Sequence, residues 1–204
     1  MFRLAIFLLL FPVAALAGPI EPVPATVAVL YNSSIPESKQ LAETYAEARS
    51  IPAANLVGLA LSGNEEITRE EYNKTLRTPL AAEFDNRKWW ARSKNPEGNL
   101  APTLMRVRIV ACMRGVPSRI SREADTPAPK EGAPPYSVAN EASVDSELAF
   151  LALDGLPLNG PLNNPYYNKD EPFLKFATPI LLVGRIDGPT FEVCKRMIKD
   201  AVET

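Results

Sequence analysis

No histidine occurs among the 204 residues. That removes Ser-His-Asp and Cys-His nucleophilic catalysis from this chain, together with the usual zinc ligand sets. Cysteine is nearly absent: Cys112 and Cys194 lie far apart and make no CxxC pair. There is no GxGxxG fingerprint, no GxxxxGK(S/T) phosphate loop, no GxSxG elbow and no internal repeat, so the familiar nucleotide-binding and esterase signatures are missing. Positive charge is not in excess either, with 22 Lys+Arg against 24 Asp+Glu, which argues against nucleic acid as a partner. The expectation is a chain with no self-sufficient catalytic constellation, no metal and no cofactor.

One apolar run stands out. Met1-Phe2-Arg3 is followed by apolar residues from Leu4 to Leu16, then by Ala15-Leu16-Ala17 before Gly18. A basic start, a short hydrophobic stretch and a small-x-small site form a secretory signal peptide. A membrane-spanning helix needs about 20 apolar residues, more than this run supplies, and Pro12 would kink it. The predicted organisation is a signal peptide at 1–17, a proline-rich linker at 18–25, and a single α/β domain at 26–204. Cleavage removes Arg3 and leaves 21 basic against 24 acidic residues, a net charge of −3. The processed chain is expected in the periplasm or outside the cell, with no transmembrane span and an envelope or extracellular partner. Two readings of the cysteines stay open: a disulfide, which an oxidising compartment permits, or two small buried hydrophobes.

Along the chain, Thr26–Tyr31 is β-branched and apolar without alternation, as in a strand buried on both faces. Pro36 and Glu37 open a helix whose core stripe is Leu41, Tyr45 and Ala48. A second strand is expected at 55–61. Thr68 and Glu71 form a capping box for a helix with Tyr72, Leu76, Leu80 and Phe84 on its buried face, and Pro79 predicts a kink or break there. Residues 95–102 read as a loop, 105–113 as a third strand, and 118–140 as a long proline-rich loop. A short helix follows at 144–153, then a Pro/Gly/Asn-rich stretch at 156–172. Residues 179–183 read as a buried strand, and a last helix presents Phe191, Cys194, Ile198 and Ala201.

Strands alternating with helices predict a three-layer α/β fold, a mostly parallel sheet with helices on both faces. Ligands bind such sheets beyond the carboxyl ends of the strands. The candidate binding residues there are Asn32, Ser33, Asp145, Glu147, Arg185 and Asp187. Asn32 and Ser33 offer polar groups to an anion, or simply cap the following helix. Asp145 and Glu147 make a carboxylate pair for substrate, or favour the dipole of the helix they open. With Asp187 they also make a weaker, carboxylate-based metal set. Arg185 and Asp187 suit a carboxylate or peptide ligand, or an internal ion pair and turn. Arg87-Lys88-Trp89-Trp90-Ala91-Arg92 interleaves cations and aromatics, fitted to glycan, lipid headgroups or a partner, or to packing of the tryptophans under the next loop.

Six blocks occur in one order: Val29-Leu30-Tyr31-Asn32 with Pro36-Glu37-Ser38; 48–56; Ile67-Thr68-Arg69-Glu70-Glu71-Tyr72; Gly115-Val116-Pro117; Ser143-Val144-Asp145-Ser146-Glu147-Leu148; and 184–190. This series resembles the uncharacterised secreted bacterial family that co-occurs with exosortase/PEP-CTERM protein sorting. The resemblance implies export and envelope company rather than a reaction. A fainter likeness, over the strand before Gly184-Arg185-Ile186 and the Thr190-led helix, is to gingipain-type cysteine peptidases. It implies a caspase-like sheet and a chain forming the N-terminal part of a larger domain, its catalytic His and Cys beyond Thr204. No residue here takes those roles. The primary expectation is therefore an envelope accessory or binding protein with no complete active site in this chain. The alternative is the N-terminal half of a caspase- or gingipain-like hydrolase.

Overall fold

The computed structural model describes residues 24–124, 126–164, 166–168, 170 and 180–203. The signal peptide, its cleavage point and most of the 18–25 linker lie outside the described residues, as does Pro179. At the centre is a four-stranded sheet in the order β2-β1-β6-β9. Its strands are β1 (Val27–Asn32), β2 (Leu56–Leu59), β6 (Ile109–Met113) and β9 (Leu182–Ile186), and every pairing is parallel. Strand β1 lies inside the sheet, and its first four residues are all buried, which is why it lacks polar alternation.

Helices flank both faces, an arrangement compatible with three layers. On one face, β1 and β6 present Val27, Val29, Ala111 and Met113 to α1 (Pro36–Ala48) and α5 (Phe191–Glu203). On the other, Ala28, Leu30, Val110 and Cys112 meet a long helical stretch and α4 (Val144–Ala149). That stretch comprises α2 (Arg69–Glu71), a π-helical turn at Tyr72–Arg77, and α3 (Thr78–Asn86). Thr68 caps it as the sequence predicts, its side chain accepting from the Glu71 N–H. Pro79 does not break it in two, but the regular α-helical ladder gives way to the π-helical turn just before it. The chain stays helical because the widened turn, in which Thr78 N–H reaches Asn73 O, makes room where an ordinary turn would clash with the proline ring. Tyr72, Leu76, Leu80 and Phe84 form the buried stripe, as the spacing requires.

Several expected boundaries move. The loop expected at 95–102 is present at 95–99, as the turn of a hairpin of β4 (Trp90–Lys94) against β5 (Leu100–Met105) in which Gly98 takes φ 86°, and residues 100–102 belong to β5. The hairpin's strands carry charges and a proline rather than an alternating apolar face, so periodicity does not reveal them. The third strand consequently begins at Ile109, not 105. Within 118–140 and just beyond, β7 (Arg119–Ile120) joins β3 (Glu66–Ile67) and β8 (Ala142–Ser143) in a small sheet of order β3-β7-β8. Two-residue strands have no readable period. The last strand starts at Leu182 because Leu181 N–H is taken by Ala149 O at the end of α4, and pairing with β6 begins only afterwards. In α5, Ala201 is exposed while Cys194 and Ile198 are buried. Ala201 falls in the last turn of the helix, beside Arg49, whose Nη2 donates to its carbonyl. No helix among the described residues is long and apolar enough to cross a membrane.

Cys112 and Cys194 are both buried and unpaired. They belong to the two clusters on opposite faces of the sheet, so a bond between them would have to pass through it. Burial pushes the Cys112 thiol up to about 12, against the opposing pull of Arg185. The folded value lies above the unfolded 9.0, so this thiol's contribution is intact below about pH 9 and is lost as pH rises toward 12. Native protein at pH 8 should resist iodoacetamide, and denatured protein should take up two labels without reductant. A single mass unchanged by labelling under denaturing, non-reducing conditions would show a disulfide instead.

Candidate functional site

Because the strands are parallel, β1, β6 and β9 deliver Asn32, Arg114 and Asp187 to the same edge. The chain leaves β1 toward one side and, after β2, crosses to the other, so the crevice between β1 and β6 is the switch point where such sheets take ligands. Asn32 sits in it, fully buried. Its amide donates to Ser62 O (3.0 Å) and Gly115 O (2.9 Å), and its carbonyl accepts from Ser34 N (2.9 Å) and Leu61 N (3.2 Å). All four hydrogen-bonding positions of the side chain are thus spent on the protein. The residue ties the ends of three segments together. Ser38 completes the junction, donating to Arg114 O (2.6 Å) while accepting from the Asn32 N–H. Gly115 takes φ 97° beneath Ile35 and Ser38, where a Cβ would lie 3.2–3.3 Å from their side chains. Ser33 is exposed, with its N–H donating to Leu59 O (2.8 Å).

The carboxylates part company. Asp145 receives a two-pronged contact from Arg185, Nη2 at 2.6 Å and Nε at 3.0 Å. Arg185, only 13 % exposed, also donates to Val116 O and Pro117 O, which locks the chain leaving β6 onto β9. Asp187 turns instead to Arg114, whose guanidinium also reaches the carbonyls of Gly188 and Pro189 and lies over the Phe191 ring. Glu147, two residues from Asp145 and so on another face of α4, meets Arg69 at 2.8 Å. Each acid of the proposed metal set faces its own arginine. Among the described residues no group of three metal-binding side chains comes together.

Two clefts result. A small one of about 210 Å³ lies over the switch point, lined by Asn64, Glu65, Arg114, Asp187 and Phe191 among others. The larger, about 690 Å³, opens between the π-helical turn, α4 and residues 153–162. Its charged lining is Arg69, Arg77, Glu141, Glu147 and Asp154, and Arg77 is paired with Asp154 at 3.0 Å. Arg69 is 5 % exposed and donates also to Asn140 O (3.0 Å). Ser143 and Ser146, in contact at 2.7 Å, add hydroxyls, and Phe150, Leu156, Leu158 and Leu162 add apolar wall. Behind it, the Tyr72 hydroxyl is buried without a hydrogen-bond partner among the described residues. Desolvation foremost, and then Glu147, hold it above its ordinary titration range.

Of the six candidates, the structure brings Asp145 and Arg185 together, places Asn32 and Asp187 at the switch point, leaves Ser33 exposed beside Asn32, and sends Glu147 to the larger cleft. Sequence reasoning did not single out Arg69, Arg77 or Asp154, and it placed Arg114 at the carboxyl edge of the sheet without making it a candidate. Arg69 had a signal: a cation in the first turn of a helix opposes the dipole unless an outside acid holds it. Arg114, a cation directly beyond the buried β6, had the kind of signal read for Arg185, which the structure instead puts inside β9, a strand with no buried residue. Arg77 and Asp154 had none. No family model matches the chain, and neither a curated protein nor a solved structure matches it.

Proposed function

We propose that the chain is an exported envelope accessory protein of the exosortase-associated kind, binding an extended peptide segment in its larger cleft. The observation that carries this is the edge strand β8, whose Ala142 and Ser143 line that cleft beside a leucine-rich wall. An extended peptide adds to such an edge through its backbone while its side chains fill alternate pockets. The paired charges Arg69–Glu147 and Arg77–Asp154 are held in place before the ligand arrives, which lowers the ordering cost of binding. Screening a library of random heptapeptides by fluorescence polarisation tests the reading. Binders should emerge, and Ser146→Trp, which fills the cleft from an exposed position, should weaken them at least about tenfold. A library that gives no binder, or binders indifferent to that substitution, overturns it.

A second reading keeps this chain as the first half of a caspase- or gingipain-like hydrolase. What favours it is the parallel order β2-β1-β6-β9, with a peptide cleft alongside. Sequencing the native protein to its true C-terminus separates the two: a continuation bearing His and Cys supports the hydrolase, and a terminus at Thr204 removes it.

A further inference from the structure

The chain as a whole is slightly acidic, yet its positive charge is segregated. Residues 87–108, which span the β4–β5 hairpin and its flanks, carry six basic residues (Arg87, Lys88, Arg92, Lys94, Arg106 and Arg108) against one acid, Glu97. The remainder carries 16 basic against 23 acidic residues. Arg87 and Arg92 are neutralised by Glu83 and Asp85 and stack over Trp89 and Trp90. Lys88, Lys94 and Arg106 are exposed and make no ion pair among the described residues.

The hairpin's two faces differ. Trp90 and Met105 point inward, and both tryptophans pack on Phe84 at the end of α3, which anchors the ribbon. Outward, Ala91 pairs with Leu104 and Ser93 with Ala101. Leu104 is 50 % exposed. The ribbon that carries this small apolar face also carries the three unpaired cations: Lys88 just before β4, Arg106 just after β5, and Lys94 at the end of β4, where alternation puts it on the Trp90 face.

From this we infer that the β4–β5 hairpin is a docking surface for an anionic lipid bilayer, which rests on the export reading but not on the peptide cleft. Lysine and arginine near a membrane are drawn by its negative surface potential, and an apolar residue among them is buried at the headgroup boundary. A purely polar anionic polymer would satisfy the cations but leave Leu104, Ala91 and Ala101 in water. The acidic remainder of the molecule is repelled by the same surface, which orients the protein with the hairpin toward the bilayer.

The test is vesicle co-sedimentation with protein recovered after export, free of the apolar 4–16 run. Binding is expected to vesicles containing about 30 % phosphatidylglycerol, and not to pure phosphatidylcholine. It should fall steeply between about 0.1 M and 0.5 M salt. The combined variant Lys88→Asn, Lys94→Gln, Arg106→Gln should bind on the order of 100-fold more weakly, and Leu104→Ser severalfold more weakly. All these positions are exposed, and an unchanged melting temperature checks that the fold is kept. Lys39→Gln with Lys199→Gln, on the opposite helices, should change nothing. Wild-type protein that ignores anionic vesicles, or a combined variant that binds them undiminished, overturns the proposal. Binding to soluble heparin without binding to vesicles overturns it as well, and assigns the cations to an anionic glycan.

Discussion

Asp145→Ala is expected to lower the unfolding free energy by about 3 kcal/mol, toward the low end of what losing one member of a buried ion pair costs. The low end applies because Asp145 is itself 31 % exposed and so partly solvated, whereas Arg185 is 13 % exposed. The substitution leaves the guanidinium bonded to Val116 O and Pro117 O but without its paired carboxylate, with only the more distant Asp187 to offset its charge. It also removes an acid from the first turn of α4, worth about 0.3–1 kcal/mol. Asp145→Asn keeps an acceptor and should lose roughly half as much. Removing both partners, as Asp145→Leu with Arg185→Met, should be far milder than the sum of the single changes, since no unpaired charge remains. Urea denaturation read by tryptophan fluorescence measures these variants together with the single changes Asp145→Leu and Arg185→Met. Additive losses would mean that the two side chains do not act as a unit and that the junction between β6 and β9 is held by something else.

Asn32→Asp should cost a comparable amount at neutral pH and much less in acid. The introduced carboxyl retains the acceptor positions facing Ser34 N and Leu61 N. It loses the two N–H groups and sets a negative oxygen against Ser62 O and Gly115 O. Burial and the two carbonyl dipoles favour its neutral form, so its folded titration point lies above the unfolded value of about 3.9. The unfolded chain then releases its proton first, and stability is lost as pH rises from about 4 through the folded value. The variant's deficit relative to the parent should widen between pH 4 and pH 8, by about 1.4 kcal/mol for each unit that the folded value is raised. Asn32→Leu, which leaves the buried Leu61 N–H without its partner, should show a deficit of about 3 kcal/mol that is flat with pH. Equal pH profiles for the two variants would contradict the packing of this amide between three strand ends.

Both predictions concern residues that the sequence had nominated as ligand binders, and in both the protein itself is the ligand. Asn32 stands at a strand end in front of a helix, a position where a polar side chain serves an anion or the backbone equally well. Which one it serves depends on Ser62 and Gly115, 30 and 83 residues away. Arg185 and Asp145 were each legible as charged residues at the carboxyl edge, but their contact spans 40 residues and follows only from β9 lying beside β6. The large cleft was less legible still. Its arginines come from one helical stretch and its acids from α4 and the segments on either side of it, and nothing in the local pattern of either announces the other.

What the sequence determined by itself is the part governed by short-range physics. The unbroken apolar run of β1 requires a strand covered on both faces. Thr68 and Glu71 start a helix, and Tyr72, Leu76, Leu80 and Phe84 choose its buried side. The missing histidine bounds the chemistry wherever the chain goes. Only the tertiary structure decided the pairing: that Cys112 and Cys194 fall on opposite faces of the sheet, that residues 90–105 find their hydrogen bonds in each other, and that each carboxylate meets a different arginine. Those outcomes turn on strand order and register. A strand's neighbours are selected by the sum of many weak contacts across the whole chain, and that sum is not written in any one segment.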